Sequence, residues 1–308
     1  MERSERFTFI VCILLVAVLT GLILWTAPEK RAPSLAESLV SSAGPTDQSA
    51  HESSYGSQLP GTAQAPGDGE AHPLDPALKI AREALAKFNR EVDDYTATLL
   101  KRERIGGVLG QETRMAIKVR TRRVEGDKLV RPLQVYIKML DPWLARGREV
   151  VWVENRNEGK LIAHEGGLKN IVRVTLAPTD TLAMLGNKYP ITEIGLAKLM
   201  EKLIEKGERD KRAGPCQVVI KSGFEVAGRP CQLIQVKHPQ HDRRFDFHMA
   251  QIYLDEENLI PLRYAAYLWP EQPDDAPPLE EEYTYLDVRI NVGLQDIDFD
   301  PENPDYEF

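Results

Sequence analysis

Three histidines are the first residues whose types and spacing could do chemistry. His238, His241 and His248 lie in the segment HPQHDRRFDFH, and histidines a few residues apart are common zinc ligands. The first two flank a polar turn, and no cysteine or spaced carboxylate beside them completes a tetrahedral ligand set. We therefore interpret them as solvated turn residues and predict no metal and no other cofactor.

The acidic C-terminus partly resembles a calcium-binding loop. Asp296, Asp298, Asp300 and Glu307 fall at the first, third, fifth and twelfth positions of such a loop. The sixth position requires glycine for a sharp turn, and it is Pro301 here. No predicted helices flank the segment, so the sequence predicts an acidic tail rather than a calcium site.

Cys216 and Cys231 begin two adjacent predicted strands. Outside the cytoplasm, two cysteines on neighbouring strands can form a disulfide. The alternative is a pair of buried thiols. The strand register decides between them, and it cannot be read from the sequence, so both stay open.

Short motifs that carry a catalytic mechanism are absent from the sequence. There is no nucleophile elbow, phosphate-binding glycine loop, zinc-protease helix or dinucleotide fingerprint. The glycine-rich GGVLG is typical of a hairpin turn, and no two carboxylates stand at catalytic spacing. We therefore name no catalytic residue and expect a protein that is not an enzyme, while an active site assembled from distant residues stays an alternative.

The stretch YLDEENLIPLRYAAYLWP concentrates acids, aromatics and an arginine in one place. Asp255 to Asn258 suit a polar turn, and Leu259 to Trp269 suit the return strand of a hairpin, with Pro261 near its start. The acids are therefore turn residues. Arg263 has two interpretations: a surface charge, or a group at a cavity rim that meets an anionic headgroup.

The charge balance argues against a nucleic-acid partner. The chain has 39 Lys and Arg against 47 Asp and Glu, a net charge of −8, whereas nucleic-acid binders need a basic stripe that neutralises phosphates. The run Arg120 to Arg123 is the main exception. We interpret it as a strand end and turn, with a contact site for an anion as the alternative.

The N-terminus is predicted to anchor the chain in a membrane. Phe7 to Trp25 carry no charge, and about 20 apolar residues span a bilayer as a helix. A cleavable signal peptide is the alternative, but its best cleavage site, Ala27, has Trp25 and Pro28 at unfavourable positions. We therefore predict an uncleaved signal anchor over residues 1–26. A single N-terminal helix usually leaves a long following region outside the cytoplasm, which is where we place it.

Residues 27–73 are small, polar and rich in proline, glycine and serine. Such a segment has too few large apolar residues to offset the entropy cost of ordering the chain. We therefore predict a disordered linker here and one folded domain over residues 74–308.

Two helices and a long run of strands are predicted in this domain. The first helix has Asp75 as its N-cap and Pro76 at its first position, and it ends near Val92. Gly207 can end the second helix. The second helix has one apolar face, formed by Leu196, Leu199, Met200, Leu203 and Ile204. The remaining segments alternate with the period of two that is typical of strands. The prediction is an α+β fold, in which helices cover the concave face of a curved antiparallel sheet, an incomplete β-barrel.

Five segments carry a resemblance to a known family. They are ALAKFNREVDDYTATLLKRERIGG, PLQVYIKMLDPWLARGREVVWVENRNEGKLIAHEGG, AGRPCQLIQVKHP, IYLDEENLIPLRYAAYLWP and EEYTYLDVRINVGLQDIDFDPENPDY. Over residues 78–308 the chain resembles a bacterial family, the domain of unknown function 1571. The wider plan is similar to that of the outer-membrane lipoprotein carriers LolA and LolB and of the lipid-sensing domain of sigma-factor regulators. The resemblance implies an incomplete antiparallel barrel, covered by helices, with an apolar cavity that takes acyl chains.

The strand pattern and the resemblance together suggest a lining for such a cavity. The predicted lining residues are Val135, Ile137, Met139, Val151, Val153, Leu196, Leu199, Met200, Leu203 and Arg263. The alternative is that these side chains pack a closed core.

The expected function is that of a membrane-anchored, extracytoplasmic binding domain. It would hold a lipid or a lipoprotein acyl chain by hydrophobic burial, without catalysis. We expect it at the inner (cytoplasmic) membrane as a single-pass protein with its C-terminal domain in the periplasm, where a tether suits local handling of a lipid better than shuttling. The alternatives are an envelope regulatory or scaffolding module that binds a protein partner, and an enzyme acting on envelope lipids or glycans.

Overall fold

The computed structural model describes residues 34–42, 72–165 and 173–308. Its helices are α1 (Leu35–Ser38), α2 (Asp75–Glu91) and α3 (Leu196–Ala213). Its strands are β1 (Val40–Ser42), β2 (Asp94–Ile105), β3 (Val108–Leu109), β4 (Thr113–Arg120), β5 (Arg123–Glu125), β6 (Lys128–Arg131), β7 (Gln134–Asp141), β8 (Glu149–Val153), β9 (Leu161–His164), β10 (Arg173–Leu176), β11 (Gln217–Val226), β12 (Arg229–Lys237), β13 (Met249–Asp255), β14 (Pro261–Tyr267) and β15 (Leu279–Ile290).

One large sheet organises the domain. It has 13 strands in the order β1-β11-β12-β13-β14-β15-β2-β4-β7-β8-β9-β10, with β3 added to β2. Neighbouring strands pair antiparallel, as long hairpins require. In the described residues β1 and β10 stand at opposite ends of this order, so the sheet stays open. The predicted fold class, an α+β fold built on an incomplete antiparallel barrel, is confirmed.

Both long helices cover one face of the sheet, here called the concave face. A single core cluster joins Phe88 of α2 and Met200 of α3 with strand residues such as Ile117 and Val135. The same cluster includes Leu233, near the other end of the strand order. Because residues from both halves of the sheet share one core with the helices, the sheet curves around them.

Two predictions about helix ends are wrong. The residue before α2 is Leu74, and Asp75 is already helical, with its Oδ2 atom accepting the N–H of His72 at 2.9 Å. Helix α3 continues past Gly207 to its last residue, Ala213. A Cβ atom at Gly207 would lie 2.8 Å from Cδ2 of Leu78, so this glycine serves the close approach of α3 to α2 rather than a helix end.

Part of the predicted linker has regular structure. Strand β1 pairs antiparallel with β11, Val40 lies opposite Val226, and Val40 packs against the main core. The prediction of disorder therefore does not hold for residues 34–42, because an apolar residue there finds a strand edge to pair with. Residues 43–71 and the predicted anchor over residues 1–26 lie outside the described residues. In the part of the chain that is described, no helix is both long and apolar enough to cross a membrane.

The acidic C-terminus packs on the face opposite the helices. Phe299 is buried against Tyr136, and the ring of Tyr306 stacks on that of Tyr136 with centroids 4.1 Å apart. Asp298 forms an ion pair of 2.6 Å with Lys118 of β4. Aromatic stacking and strand cations therefore hold the tail. Within the described ranges, no group of three or more His, Cys, Asp or Glu residues is placed to hold a metal ion.

The two cysteines do not form a disulfide. Both are free and buried. Cys231 lies opposite Phe224, whereas Cys216 precedes the pair of Gln217 with Lys237 at the other end of the hairpin. That separation is on the order of 20 Å at the usual rise per strand residue, against the roughly 7 Å between Cα atoms that a bridge tolerates. The buried-thiol interpretation therefore holds.

Candidate functional site

Most residues predicted to line a cavity meet in one apolar wall on the concave face. Those in the main core cluster are Val135, Ile137, Met139, Leu196, Leu199 and Met200. Leu203 packs in an adjoining cluster with Leu78 and Phe247. Val135 and Leu196 expose none of their surface (0%). Ile137, Met139, Leu199 and Leu203 are partly buried, so the wall is largely covered in this conformation.

Val151 and Val153 are exceptions, because the strand register places them on the opposite face. Val151 lies opposite Tyr136, and Val135 lies opposite Trp152. A shift of one residue in register moves every side chain of a strand to the other face. Both valines therefore pack under the C-terminal tail, next to Phe299, and the prediction that they share a cavity with Val135 is wrong.

Arg263 is neither a surface charge nor a rim residue. Only 2% of it is exposed. Its Nε atom donates to Oε1 of Glu282 at 2.7 Å, its Nη2 atom lies 2.6 Å from the same oxygen, and its guanidinium lies over the ring of Tyr253. Burial opposes the charge, but Glu282 outweighs it and raises the pKa of Arg263 above its usual value. Arg263 is therefore a structural cation inside a charge pair.

The segment over residues 177–195, here called the strap, connects β10 to α3 across the concave face. Apart from a single turn at Ile191–Glu193, it has no regular helix or strand. On its inner side Ala183, Ile191 and Ile194 pack against the main core. On its outer side Leu182 is 50% exposed. The strap is thus a thin cover over the apolar wall.

A partly buried polar cluster fastens the strap to the sheet. This cluster, here called the latch, consists of Glu103, Glu281, Lys188 and Tyr189. The Nζ atom of Lys188 lies 2.9 Å from Oε2 of Glu281, and the hydroxyl of Tyr189 donates to the same oxygen at 2.9 Å. The backbone N–H of Lys188 donates to Oε2 of Glu103, also at 2.9 Å. Two successive strap residues are thereby tied to two strands.

The two carboxylates of the latch face each other across neighbouring strands. Glu281 of β15 lies opposite Glu103 of β2. Tyr283 donates to Glu103 at 2.5 Å, and Tyr264 donates to Glu281 at 3.0 Å. Lys101 adds an ion pair to Glu103 at 3.0 Å. Two like charges on one buried face are tolerated because each is surrounded by hydrogen-bond donors and cations.

The electrostatics favour one protonation state for Glu281 and for Tyr189. Burial by itself raises the pKa of Glu281, but the charges of Lys206 and Lys188 outweigh it and hold that pKa below its usual 4.5. Burial and the negative charge of Glu281 raise the pKa of Tyr189 far above 10. Glu281 therefore stays ionised near neutral pH and Tyr189 stays a donor. Such groups fasten structure; a general acid or base instead needs a pKa near the working pH.

A small pocket of about 290 Å³ opens beside the latch. Its walls include Lys188, Tyr189, Lys206, Phe247 and Glu281. The pocket lies where the strap meets α3 and the sheet. It is an opening at the edge of the strap, next to the residues that fasten it.

Sequence reasoning missed the latch for an identifiable reason. Glu281, Tyr283 and Tyr285 alternate along β15, and Lys101 and Glu103 alternate along β2. Alternation places each set on one face of its strand. This stripe of polar residues was the sequence pattern from which a polar cluster on that face could have been predicted. The partner residue Lys188 lies 93 positions from Glu281 in a segment without periodicity, so nothing local pointed to the contact.

The histidines have structural roles that differ from the predicted solvated turn. His238 is buried, its Nε2 atom lies 3.2 Å from Oδ2 of Asp210, and its ring stacks on Phe245 at 3.8 Å. His248 is also buried, with its Nδ1 atom 2.9 Å from the carbonyl oxygen of His238. His241 alone of the three is exposed. The pair of buried rings closes the end of α3 against the sheet.

A model of one protein family matches residues 92–308. Its description is "Protein of unknown function (DUF1571)". The chain belongs to this family. The match covers strands β2 to β15, the strap, α3 and the C-terminal tail, and it confirms the resemblance inferred from the sequence. A search among curated proteins finds no match.

Several solved structures are similar to this chain at low sequence identity. A putative outer membrane lipoprotein-sorting protein domain from Vibrio parahaemolyticus is 15% identical, with 72% of this chain and 95% of that chain covered and a TM-score of 0.33. The LolA superfamily protein from Nitrosomonas europaea is 10% identical, with 71% and 97% covered and a TM-score of 0.29. The Mycobacterium tuberculosis lipoprotein LppX is 12% identical, with 72% and 98% covered and a TM-score of 0.36. These similarities concern the fold alone.

Proposed function

We propose that this chain is a non-catalytic binding domain that holds the acyl chain of a lipid between the sheet and the strap. The observation that carries the proposal is the contrast between the two kinds of contact the strap makes. Apolar residues of the strap cover an apolar wall, whereas polar bonds of the latch hold the strap in position. An acyl chain that replaced the strap's side chains would keep the wall covered.

The energetics favour such an exchange. The strap contributes only Ala183, Ile191 and Ile194 to the apolar core. Each buried methylene contributes about 0.8 kcal/mol, so an acyl chain of ordinary length offers more apolar contact than these three side chains. Opening the strap costs the contacts of the latch, so only a fraction of the molecules is open. The observed affinity for the ligand equals the affinity of the open form multiplied by that fraction.

The cellular setting is part of the proposal. The uncharged stretch from Phe7 to Trp25 would anchor the chain at the inner membrane, with the binding domain in the periplasm. A tethered domain meets lipids at the membrane that holds it. Receiving or presenting a lipid locally therefore suits it better than carrying one across the periplasm.

A titration with a fluorescent fatty acid tests the proposal. Residues 34–308 suit the measurement, because the compact unit Ala36–Phe308 includes β1 and lacks the apolar N-terminus. We expect saturable binding with one ligand per chain. Leu199→Gln places a polar group in the wall and should weaken binding about tenfold, while Lys188→Ala and Tyr189→Phe loosen the latch and should strengthen it.

A matched control separates the wall from the surface. Val292→Gln makes a comparable change from an apolar to a polar side chain at an exposed position, and it should leave the affinity unchanged. Circular dichroism melts would verify that every variant is folded. Absence of saturable binding by the folded wild-type domain, or equal effects of Leu199→Gln and Val292→Gln, would contradict the proposal.

A second candidate is a module that binds an extended protein segment at a sheet edge. The observation that favours it is β1, because a short segment of the chain already adds to the edge strand β11. Extended peptides bind sheet edges in this way through main-chain hydrogen bonds. Recovery of one stoichiometric protein and no lipid with the purified full chain would favour this candidate over the first.

A further inference from the structure

A groove on the described surface lies at the opposite end of the sheet from the latch. It encloses about 760 Å³, a volume in the range of small-molecule sites. It lies where β4 ends at Arg120, β7 begins at Gln134 and the hairpin of β5 and β6 rises beside them. The lining residues are Arg90, Asp93, Arg120, Arg123, Val124, Glu125, Val130, Arg131, Pro132, Gln134, Arg156 and Asp296.

The lining is basic in a chain that is acidic overall. It holds five arginines, at positions 90, 120, 123, 131 and 156, against three carboxylates, Asp93, Glu125 and Asp296. The formal charge of the groove is therefore 5 − 3 = +2, whereas that of the whole chain is −8. An excess of one sign of charge in a cleft raises the local concentration of counter-ions. The groove is a local attractor for anions.

Two of these arginines are held in place before any ligand arrives. Arg123 and Arg131 both bind Oδ1 of Asp93, through Nη2 atoms at 2.9 Å and 2.8 Å. Arg131 also donates from Nε to the carbonyl oxygen of Thr121 at 2.9 Å. The hydrogen bond from Arg131, followed by that from Arg123, holds the pKa of Asp93 below its usual 3.8, so the carboxylate stays charged. Preorganised guanidinium groups bind an anion at a lower entropy cost.

Other guanidinium groups keep donors for a ligand. Arg120 uses its Nη1 atom for Gln134 and Asp296, which leaves Nε and Nη2. Arg156 is exposed, and no residue in the described ranges forms a hydrogen bond or ion pair with its side chain. A planar guanidinium with adjacent free N–H groups matches two oxygens of a phosphate at once. The groove thus combines fixed charge with free donors.

The rim adds an apolar element. Val124 and Val130 are 44% and 49% exposed on the β5–β6 hairpin, and both border the groove. Exposed valines next to arginines suit a ligand that carries a charged group on a carbon framework. A long nucleic acid does not fit, because the basic area is confined to this groove.

We infer that this groove binds the phosphate group of a phosphate ester, through Arg120, Arg131 and Arg156. A phosphate with about two negative charges at neutral pH would balance the +2 charge of the lining. Free phosphate monoesters carry this charge, and phospholipid headgroups present the same phosphate oxygens with one negative charge. The inference is independent of acyl-chain binding at the concave face, because the two sites share no residue.

Calorimetric titration of the purified full chain in a non-ionic detergent tests the inference. The probes are glycerol 3-phosphate and pyrophosphate. We expect saturable binding that weakens as salt rises, and a loss of about tenfold in affinity for Arg156→Ala. That variant removes a side chain that has no hydrogen-bond or ion-pair partner among the described residues, so its fold is expected to persist. Arg120→Ala should weaken binding to a similar degree.

Arg146→Ala is the matched control. Arg146 is an exposed arginine of the β7–β8 loop, outside the groove, and its loss should leave the affinity unchanged. No saturable binding of either probe by the folded wild-type chain, or equal losses for Arg146→Ala and Arg156→Ala, would overturn the inference. A loss at Arg156 with none at Arg146 would support it.

Mixed micelles distinguish the two sources of phosphate. The same detergent carries phosphatidylglycerol in one sample and phosphatidylcholine in the other, and hydrogen exchange is followed over residues 120–131. Exchange that slows with phosphatidylglycerol but not with phosphatidylcholine assigns the site to an anionic headgroup, provided that Arg156→Ala abolishes the slowing. Unchanged exchange together with saturable glycerol 3-phosphate binding assigns it to a soluble ester. Failure of fatty-acid binding at the concave face would leave either result intact.

Discussion

Arg263 illustrates how a residue's role depends on surroundings that its own strand does not reveal. Alternation along β14 correctly separates Arg263, Ala265 and Tyr267 from Leu262 and Tyr264. Yet every residue of β14 is buried, so the usual assumption of one wet face fails. The hypothesis of a cavity-rim arginine failed for this reason, and the charge pair with Glu282 replaces it.

Arg263→Ala is therefore expected to affect stability first. Removing one partner of a buried charge pair leaves the other without its cation, and the cost is about 3 kcal/mol in the free energy of unfolding. Urea unfolding of residues 34–308 would measure it. Arg289→Ala, at an exposed position of β15, serves as the control and should change the free energy by less than about 0.5 kcal/mol. Equal effects of the two substitutions would contradict the structural role.

Glu281 makes a prediction about pH. Its pKa is lowered in the folded state, so its contribution to stability is fully present above the unfolded value of 4.5 and is lost as pH falls through the folded value. Glu281→Gln should lower the free energy of unfolding at pH 7 by about 2 kcal/mol. It should also flatten the decline of stability below pH 4.5.

The matched control for Glu281 is Glu201→Gln on α3. Glu201 is 45% exposed in its side chain and pairs with Lys198. Exposed pairs contribute at most about 1 kcal/mol, so the stability curve of Glu201→Gln should run parallel to that of the wild type. A Glu281→Gln curve that is also parallel would show that Glu281 titrates alike in the folded and unfolded states.

The secondary-structure elements differ in how far local sequence determines them. The apolar face of α3 was predicted because five residues repeat at helical spacing, and Leu196 and Met200 are indeed buried in the core. Val151 and Val153 were assigned to the wrong face because pairing register is set between strands, not within one. The strap was missed because its position depends on distant contacts such as Lys188 with Glu281.

The contact between α2 and α3 gives a prediction about helix packing. Alanine favours a helix by about 1 kcal/mol over glycine, but a Cβ at Gly207 would meet Leu78 at 2.8 Å. Gly207→Ala should therefore raise the free energy of unfolding in a Leu78→Ala background. In the wild-type background the same substitution should raise it less, or lower it. The difference between the two backgrounds should be about 1 kcal/mol or more in a double-mutant cycle. Additive effects would show that the helices do not touch there.

The molecule as a whole separates an apolar wall under a latched strap from an arginine-lined groove at the other end of the sheet. The order of elements made the open antiparallel sheet predictable. The closed state of the wall was not predictable, because it depends on a strap without periodic pattern. The predicted lining residues form a largely covered wall in this structure, and we propose that this wall accepts a ligand on opening.

Hydrogen exchange, read by mass spectrometry, tests this opening most directly. Residues 34–308 would be labelled with and without oleate. Binding under the strap predicts faster exchange over residues 177–195, where the latch is broken, and slower exchange in β7 and α3, whose residues contact the acyl chain. Lys188→Ala should show fast exchange of the strap even without oleate. Unchanged exchange in the strap, β7 and α3 at saturating oleate would contradict the proposal that the strap opens to admit a lipid.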